Sequence, residues 1–347
     1  MIDFLIVGQG LAGTVLSDKL NEAGYTFKFI DNGHKYAASS VAAGIINPIT
    51  GRRFVKSWMI DVLIPEAIRT YQKLEALLDI KLINKLNIIR ALTSIKHEND
   101  WFARYEDLEY QDYLLQSSDL GAYQNILKGE IAYGEILQCY QIDIANLIKA
   151  YRDYLESKEL IVYESFDYAQ LKLEPNYIEY KDLEARQIIF SEGYKAIDNP
   201  YFAYLPFEPV KGEVVIFEGQ DIPKDRMLRH DQYIVPTSSG VFWSGGGYDK
   251  VNLNQEPTET FFDKWKTDID GFLKTSYRVT NRLAGVRPAV KGRRPIIGRH
   301  SDHPNVLIFN GMGTKGTSLA PFCAEQLIAL IKDKRKVNAE IDIDRFR

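Results

Sequence analysis

Two short stretches of this chain have residue types and spacings that can hold a phosphate. Gly8-Gln9-Gly10-Leu11-Ala12-Gly13 fits the GxGxxG pattern. In such a run the first glycine permits a tight turn, the second lets backbone approach a pyrophosphate, and the third lets a helix pack against a strand. The free N–H groups and dipole of the helix that follows then favour negative charge. Asp31 stands 18 residues after Gly13 (31 − 13), where a carboxylate accepts hydrogen bonds from an unphosphorylated ribose. The pattern reads as dinucleotide binding and does not choose between FAD and NAD. Near the other end, Gly311 to Ser318 precedes a helical run, so its backbone N–H groups and dipole point at whatever lies there. No Ser–His–Asp or Cys–His arrangement is apparent. His34, His97, His300 and His303 show no metal-ligand spacing, and no metal is expected. His230 lies close to Tyr233 in sequence, and a packing or surface role is its commoner fate.

The elements that must position these residues are legible in outline. Residues 4–7 read as a buried strand, 15–23 as a helix ended by Gly24, and 27–30 as a second strand. Together they make a βαβ unit around the glycine turn. Leu63, Ala67, Tyr71, Leu74, Leu77 and Leu78 recur at helical spacing and predict a helix over residues 60–86. Residues 88–133 are mixed. Asp143 is the expected N-cap of a helix over 144–155. Residues 161–195 alternate like a small antiparallel sheet closing on a buried strand at 188–190. Strands are expected at 214–217, 233–235 and 241–244 in a second sheet, then a strand at 306–309 and a helix at 319–331. Internal repeats and long linkers are absent from the sequence, so two domains are expected to interleave.

Composition narrows the class. The chain has 347 residues, is 45% hydrophobic and 26% charged, and carries 21 Tyr and 17 Phe, which excludes a disordered chain. A net charge of −4 gives no global attraction for nucleic acid or anionic membranes. The sequence shows no signal-peptide pattern and no apolar run near the roughly 20 residues that span a bilayer. Cys139 and Cys323, the two cysteines, are far apart and fit a reducing compartment. A cytoplasmic protein with no membrane contact is expected.

Beyond these signals, five ordered stretches resemble the D-amino acid oxidase and glycine oxidase family of FAD-dependent oxidoreductases. They are the glycine turn; Ala38-Ser39-Ser40-Val41-Ala42-Ala43-Gly44-Ile45-Ile46-Asn47-Pro48; Pro209-Val210-Lys211-Gly212-Glu213; Tyr233-Ile234-Val235-Pro236 with the glycines at 245–247; and the closing block of Gly285-Val286-Arg287-Pro288, Pro295-Ile296-Ile297-Gly298 and Gly311 to Ser318. The resemblance runs from residue 3 to about 330 and is weak between 60 and 140. It implies an α/β fold: a Rossmann-type FAD-binding domain (residues 1–84, 140–208 and 284–347) interleaved with an α+β substrate domain on a mostly antiparallel sheet (85–139 and 209–283). It implies FAD held by Gly8, Gly10, Gly13, Asp31, Asn32, Ser39, Ser40, Gly44, Ile45, Gly313, Thr314, Lys315, Gly316 and Ser318. The reduced flavin's charge would face the closing loop, where Lys315 adds a positive charge or is a solvated lysine. The substrate carboxylate would meet Arg287, whose fork binds it bidentately, with Tyr233 as a second donor. Covalent flavin attachment in sarcosine-oxidase-like relatives uses a cysteine after the Arg-Pro dipeptide. This chain has none there, which implies noncovalent FAD.

Three departures from that pattern bear on the substrate. Val290-Lys291-Gly292-Arg293-Arg294 replaces a segment that often carries an acidic residue, Arg52 and Arg53 follow the flavin loop, and Arg229 stands where the oxidase has a tyrosine. Either the substrate carries an extra anion, or these arginines bind the FAD pyrophosphate or make surface ion pairs. The expected activity is hydride transfer to flavin from the C–N bond of a small amino acid, amine or N-substituted glycine. The alternatives are a flavoenzyme that modifies a carboxymethylaminomethyl group on the wobble uridine of tRNA, which the negative net charge disfavours, and a flavoprotein without amine chemistry.

Overall fold

A computed structural model describes residues 1–33 and 37–346; His34 lies outside the described residues. Its first sheet is the parallel core that the glycine turn requires. The strands Ile161–Tyr163, Phe27–Asp31, Ile2–Val7 and Leu183–Phe190 lie side by side and parallel, and Val306–Asn310 continues parallel beside Leu183–Phe190. Successive side chains of a strand point to opposite faces. Phe4, Ile6, Phe27, Phe29, Ile189, Leu307 and Phe309 therefore share one buried cluster with the helices Leu11–Glu22, Ile144–Ser157 and Gly316–Asp333. Leu5, Val7, Ile30, Ile188, Phe190 and Ile308 face the other way, into a cluster with Tyr180 and Phe202. Burial on both faces explains why these strands read as unbroken apolar runs.

Two expectations need correction here. Residues 161–195 do not form a sheet of their own. Ile161–Tyr163 extends the parallel sheet, and only the pairings among Leu171–Leu173, Ile178–Tyr180 and Leu183–Phe190 are antiparallel. The helix expected over 60–86 is Ile60–Leu78. It stops at Asp79, which adopts a left-handed φ of 51°, and the Glu75 carboxylate takes the N–H groups of Leu82 and Ile83, leading the chain into the strand Ile83–Lys85.

The second large sheet is antiparallel but for one joint. Its order is Arg278–Arg287, Val210–Glu218, Phe242–Gly245, Tyr233–Pro236, Met227–Arg229, Ile88–Leu92, Ala132–Ile136 and Leu114–Leu115, and only Met227–Arg229 with Ile88–Leu92 runs parallel. One face carries Ile89, Val215, Phe217, Leu228, Ile234 and Phe242, which pack with Trp265, Ile269 and Phe272 of the helix Glu259–Phe272. The alternate residues of the same strands, Gly212, Val214, Arg229, Tyr233 and Trp243, face the opposite way and line a cavity. No helix of the described residues is long and apolar enough to cross a membrane.

Candidate active site

The glycine turn has the geometry its sequence requires. Gly8 has φ of 100°, and a Cβ there would lie 2.6 Å from the Ser191 carbonyl oxygen. A Cβ on Gly13 would lie 2.1 Å from the Gly8 carbonyl oxygen and 3.2 Å from the Phe29 ring, so Gly13 serves helix–strand contact and lines neither of the two cavities above the turn. Gly10 caps the helix Leu11–Glu22 without any side-chain bond, and no acidic residue occupies its first turn. The Ser39 hydroxyl, placed by the short helix Ala38–Val41, accepts from Leu11 N at 2.9 Å. Asp31 at the end of its strand accepts from Gln9 N and Gly33 N at 2.8 Å each, and pairs with Arg152 at 3.1 Å. The carboxylate thus braces the turn it faces.

Above this turn lies a cavity of about 330 Å³. Gly8, Gly10, Asp31, Asn32 and Ser39 line it from one side, and Gly313, Thr314 and Gly316 from the other. Asn32 also donates to the Ser165 hydroxyl at 3.2 Å. Ser40 lines neither cavity described here, so of the two adjacent hydroxyls only Ser39 reaches the space. Sequence reasoning missed Phe166, Tyr168, Ser191 and Glu192 on the same wall. Ser191 Oγ is buried with no hydrogen-bond partner among the described residues, an unpaired polar group of the kind a ligand completes. Glu192 accepts from Asn199 at 2.8 Å and from the Tyr168 hydroxyl, and burial pushes its carboxyl up to about 7. A cradle of glycine backbone at a bare helix N-terminus, with a carboxylate at the next strand end, fits a dinucleotide.

A second cavity of about 360 Å³ adjoins the first, and Ala38, Ala42, Gly313, Thr314 and Thr317 belong to both walls. Gly44, Ile45, Lys315 and Ser318 line it, together with Arg287 and Tyr233 on the sheet face. Gly44 has φ of 72°, and its missing Cβ would lie 1.8 Å from the Ile142 carbonyl oxygen. That approach lets Ile45–Ile46 pair with Tyr140–Ile142.

The Arg287 guanidinium lies over Gly212, where a Cβ would sit 2.1 Å from Nη2, and donates to the Gly247 carbonyl at 2.9 Å. Burial lowers its pKa, and no acidic side chain of the described residues pairs with it. Asn47 donates to the Tyr233 hydroxyl oxygen at 2.9 Å, which leaves the Tyr233 proton free to be donated elsewhere. Lys315 is not a solvated loop lysine. It donates to the Ser57 and Thr50 hydroxyls at 2.9 and 3.2 Å, has no acidic partner among the described residues, and is shifted below its ordinary pKa by burial, then by the charges of Arg294 and Arg293.

The basic group suggested by the sequence divides. Arg229 lines the second cavity, with its guanidinium carbon 4.4 Å from the Tyr233 ring centroid. Arg52 and Arg53 are exposed in the turn after the strand Ile49–Thr50 and line neither cavity, so they do not belong to its wall. His230 contacts Glu130 at 3.3 Å and stacks on Phe272 away from both spaces. Cys139 and Cys323 are free and buried in the core.

Residues 3–330 match the family model described as FAD dependent oxidoreductase. Among curated proteins, glycine oxidase of Bacillus subtilis (strain 168) is 33% identical over 133 residues, 37% of this chain and 36% of that protein. Glycine oxidase of Bacillus licheniformis is 32% identical over 130 residues, 36% of this chain and 35% of that protein. The alignments thus span about a third of the length of these relatives. Among solved structures, glycine oxidase from Bacillus cereus ATCC 14579 is similar with a TM-score of 0.80 at 17% identity, covering 97% of this chain and 96% of that one. Iminodiacetate oxidase from Chelativorans sp. BNC1 gives 0.77 at 17%, covering 99% and 98%. At these identities the structural likeness speaks for the fold alone.

Proposed function

Because this chain belongs to the FAD-dependent oxidoreductase family, we propose that it oxidises the carbon–nitrogen bond of an amino acid or N-substituted glycine in the second cavity. The observation that carries this reading is Arg287: a half-buried guanidinium without an acidic partner, facing a space that adjoins the dinucleotide cavity. A buried unpaired cation is costly, and a carboxylate ligand offsets that cost. Gly8, Gly10, Asp31 and Ser39 hold FAD noncovalently, in keeping with two cysteines that reach neither cavity. Bound there, FAD supplies the two-electron acceptor for the hydride that leaves the substrate α-carbon.

The chain's own residues do the positioning. Arg287 takes the substrate carboxylate bidentately, and the Tyr233 proton, freed by the Asn47 bond, adds a second hydrogen bond. Val41, Ala42, Ala43, Ile45, Val214 and Trp243 give the wall an apolar stretch that keeps water from the reacting carbon. As hydride leaves, the nitrogen loses its proton and a C=N bond forms, which water hydrolyses to an oxo acid and a free amine. Lys315, between the two cavities' shared loop and the Thr50 and Ser57 hydroxyls, stabilises negative charge as it develops.

The test is anaerobic bleaching of the flavin by a panel of amino acids, N-substituted glycines and amines without a carboxylate. Arg287→Ala should lower kcat/KM for carboxylate substrates by about 3–5 kcal/mol, the cost of leaving a charge unpaired, with Arg287→Lys between it and wild type. FAD affinity should survive both changes. Carboxylate substrates that reduce Arg287→Ala as fast as wild type would sink the reading.

A further inference from the structure

The second cavity holds more positive charge than one carboxylate needs. Arg229, Arg287 and Lys315 all line it, and no Asp or Glu among the described residues does. Arg229 is half-buried, stacked on Tyr233, and spends one N–H on the Asp231 carbonyl. Asp231 itself is exposed, and no ion pair to Arg229 forms among the described residues. Behind it, Arg90 is the register partner of Arg229 on the adjoining strand and donates to the His230 carbonyl at 2.6 Å. Burial and the Arg229 charge pull the Arg90 guanidinium down to about 10. Like charges on facing strand positions repel. The Arg90–Arg229 pair is a local excess of positive charge at the wall of the second cavity, which Arg229 lines.

Resting on the oxidation reading above, we propose that the substrate carries a second anion and that Arg229 binds it, making this an oxidase or dehydrogenase of dianionic amino acids such as N-carboxymethyl or acidic ones.

The sheet register sets the spacing. The Arg287 guanidinium lies over Gly212 and the Arg229 guanidinium over Tyr233. Val214 pairs with Gly245, and Gly245 pairs with Tyr233, so these two places are two strands apart and two residues along. The backbone positions beneath the two guanidinium groups are thus about 12 Å apart. Hydrogen bonds of about 2.8 Å place each carboxylate carbon about 4 Å from its guanidinium carbon. On that backbone spacing about 4 Å is left between the two carboxylate carbons, the scale of two to three bridging atoms at about 1.5 Å per bond. Iminodiacetate and glutamate have three such atoms, whereas glycine and sarcosine have one carboxylate and leave Arg229 unmatched.

The test uses the FAD-loaded protein without oxygen. Flavin reduction is followed with sarcosine, iminodiacetate, D- and L-glutamate and N-(phosphonomethyl)glycine, for wild type, Arg229→Gln and Arg229→Lys. In wild type the second-order reduction rate for a dianionic substrate should exceed that for sarcosine at least tenfold. Arg229→Gln should collapse that preference by at least tenfold, and Arg229→Lys should restore part of it. A preference for the phosphonate over iminodiacetate assigns the second anion to a phosphoryl group and a preference for iminodiacetate assigns it to a carboxylate; both support the site. A parallel titration with glutarate, which cannot be oxidised, reads binding through the flavin spectrum and should weaken about tenfold or more in Arg229→Gln. If sarcosine and iminodiacetate reduce the wild type equally, or Arg229→Gln weakens all substrates and glutarate equally, the proposal is overturned while the oxidation reading stands. If no substrate reduces the flavin yet glutarate binding still depends on Arg229, the oxidation reading fails and the anion site remains.

Discussion

Gly212→Ala isolates the role of Arg287 without touching its charge. A Cβ at 212 would lie 2.1 Å from Nη2, 2.4 Å from Cζ and 2.7 Å from Nη1 of Arg287, and non-bonded atoms do not approach so closely. The backbone at 212 is ordinary extended strand, paired with Gly285, so alanine fits the main chain. By itself that change is worth about 0.5–1 kcal/mol in favour of folding. The guanidinium must therefore move, which breaks its 2.9 Å bond to the Gly247 carbonyl and takes its fork away from the place proposed for the substrate carboxylate. A hydrogen bond to a charged group is worth about 1.5–3 kcal/mol, so kcat/KM for a carboxylate substrate should fall about tenfold to about a hundredfold. FAD affinity and thermal midpoint should change little. Gly271→Ala is the matched control: its Cβ would meet nothing within 4 Å on the helix Glu259–Phe272, so it should leave kinetics alone and raise stability by up to about 1 kcal/mol. Stopped-flow flavin reduction and calorimetry on the three proteins decide the matter. A Gly212→Ala enzyme with wild-type kcat/KM and intact FAD binding would show that the carboxylate is held elsewhere.

Two further changes probe the dinucleotide cavity. Asp31→Ala should weaken FAD binding by about 1–3 kcal/mol, and because Asp31 also accepts from Gln9 N and Gly33 N, the FAD-free protein should lose stability too; unchanged FAD affinity by equilibrium titration would exclude a ribose role. Glu192 is a raised acid, at about 7 against an ordinary 4.5, so the folded state holds a proton that the unfolded state has shed between those values, and stability falls as pH rises through that window. The loss is up to about 3 kcal/mol, and Glu192→Gln should flatten it in denaturant titrations of the FAD-free protein from pH 4.5 to 7; an unchanged slope would place the titration on another group.

The parts of the site that depend on local rules were legible in the sequence. Gly8 to Gly13 stands out because a tight turn, a bare helix start and a close helix–strand contact leave glycine as the residue that fits at fixed intervals. Asp143 announced its helix, and its carboxylate does accept from Asn146 N. What depends on distant partners was not legible. The helix Ile95–Tyr105 hides in a mixed stretch, since its amphipathic pattern has one fully buried anchor, Trp101, packed against Phe54. Gly212 carries a signal in being a glycine inside a strand pattern, yet only the fold shows that the guanidinium of residue 287 fills the gap. Arg52 and Arg53 looked like Arg229 in sequence, but the turn after Ile49–Thr50 turns them outward, while the pleat turns Arg229 inward.

The single parallel joint of the antiparallel sheet also bears on how the protein folds. Ile89 pairs with Leu228, which lies 139 positions later (228 − 89). Closing so long a loop has an entropic cost that local contacts do not repay, and each doubling of length adds about 0.6 kcal/mol. The two halves of this sheet, residues 88–136 and 210–287, are therefore expected to meet after each has made its own local pairings; the parallel core has a separation as long, with Ile6 and Ile189 183 positions apart (189 − 6). Arg229 and Arg287 both lie in the second half, linked through its own antiparallel pairings, so what the joint adds is Arg90 behind Arg229 rather than the spacing between the two cavity guanidinium groups. Substitutions at the joint should slow acquisition of activity in refolding experiments more than they slow recovery of secondary structure.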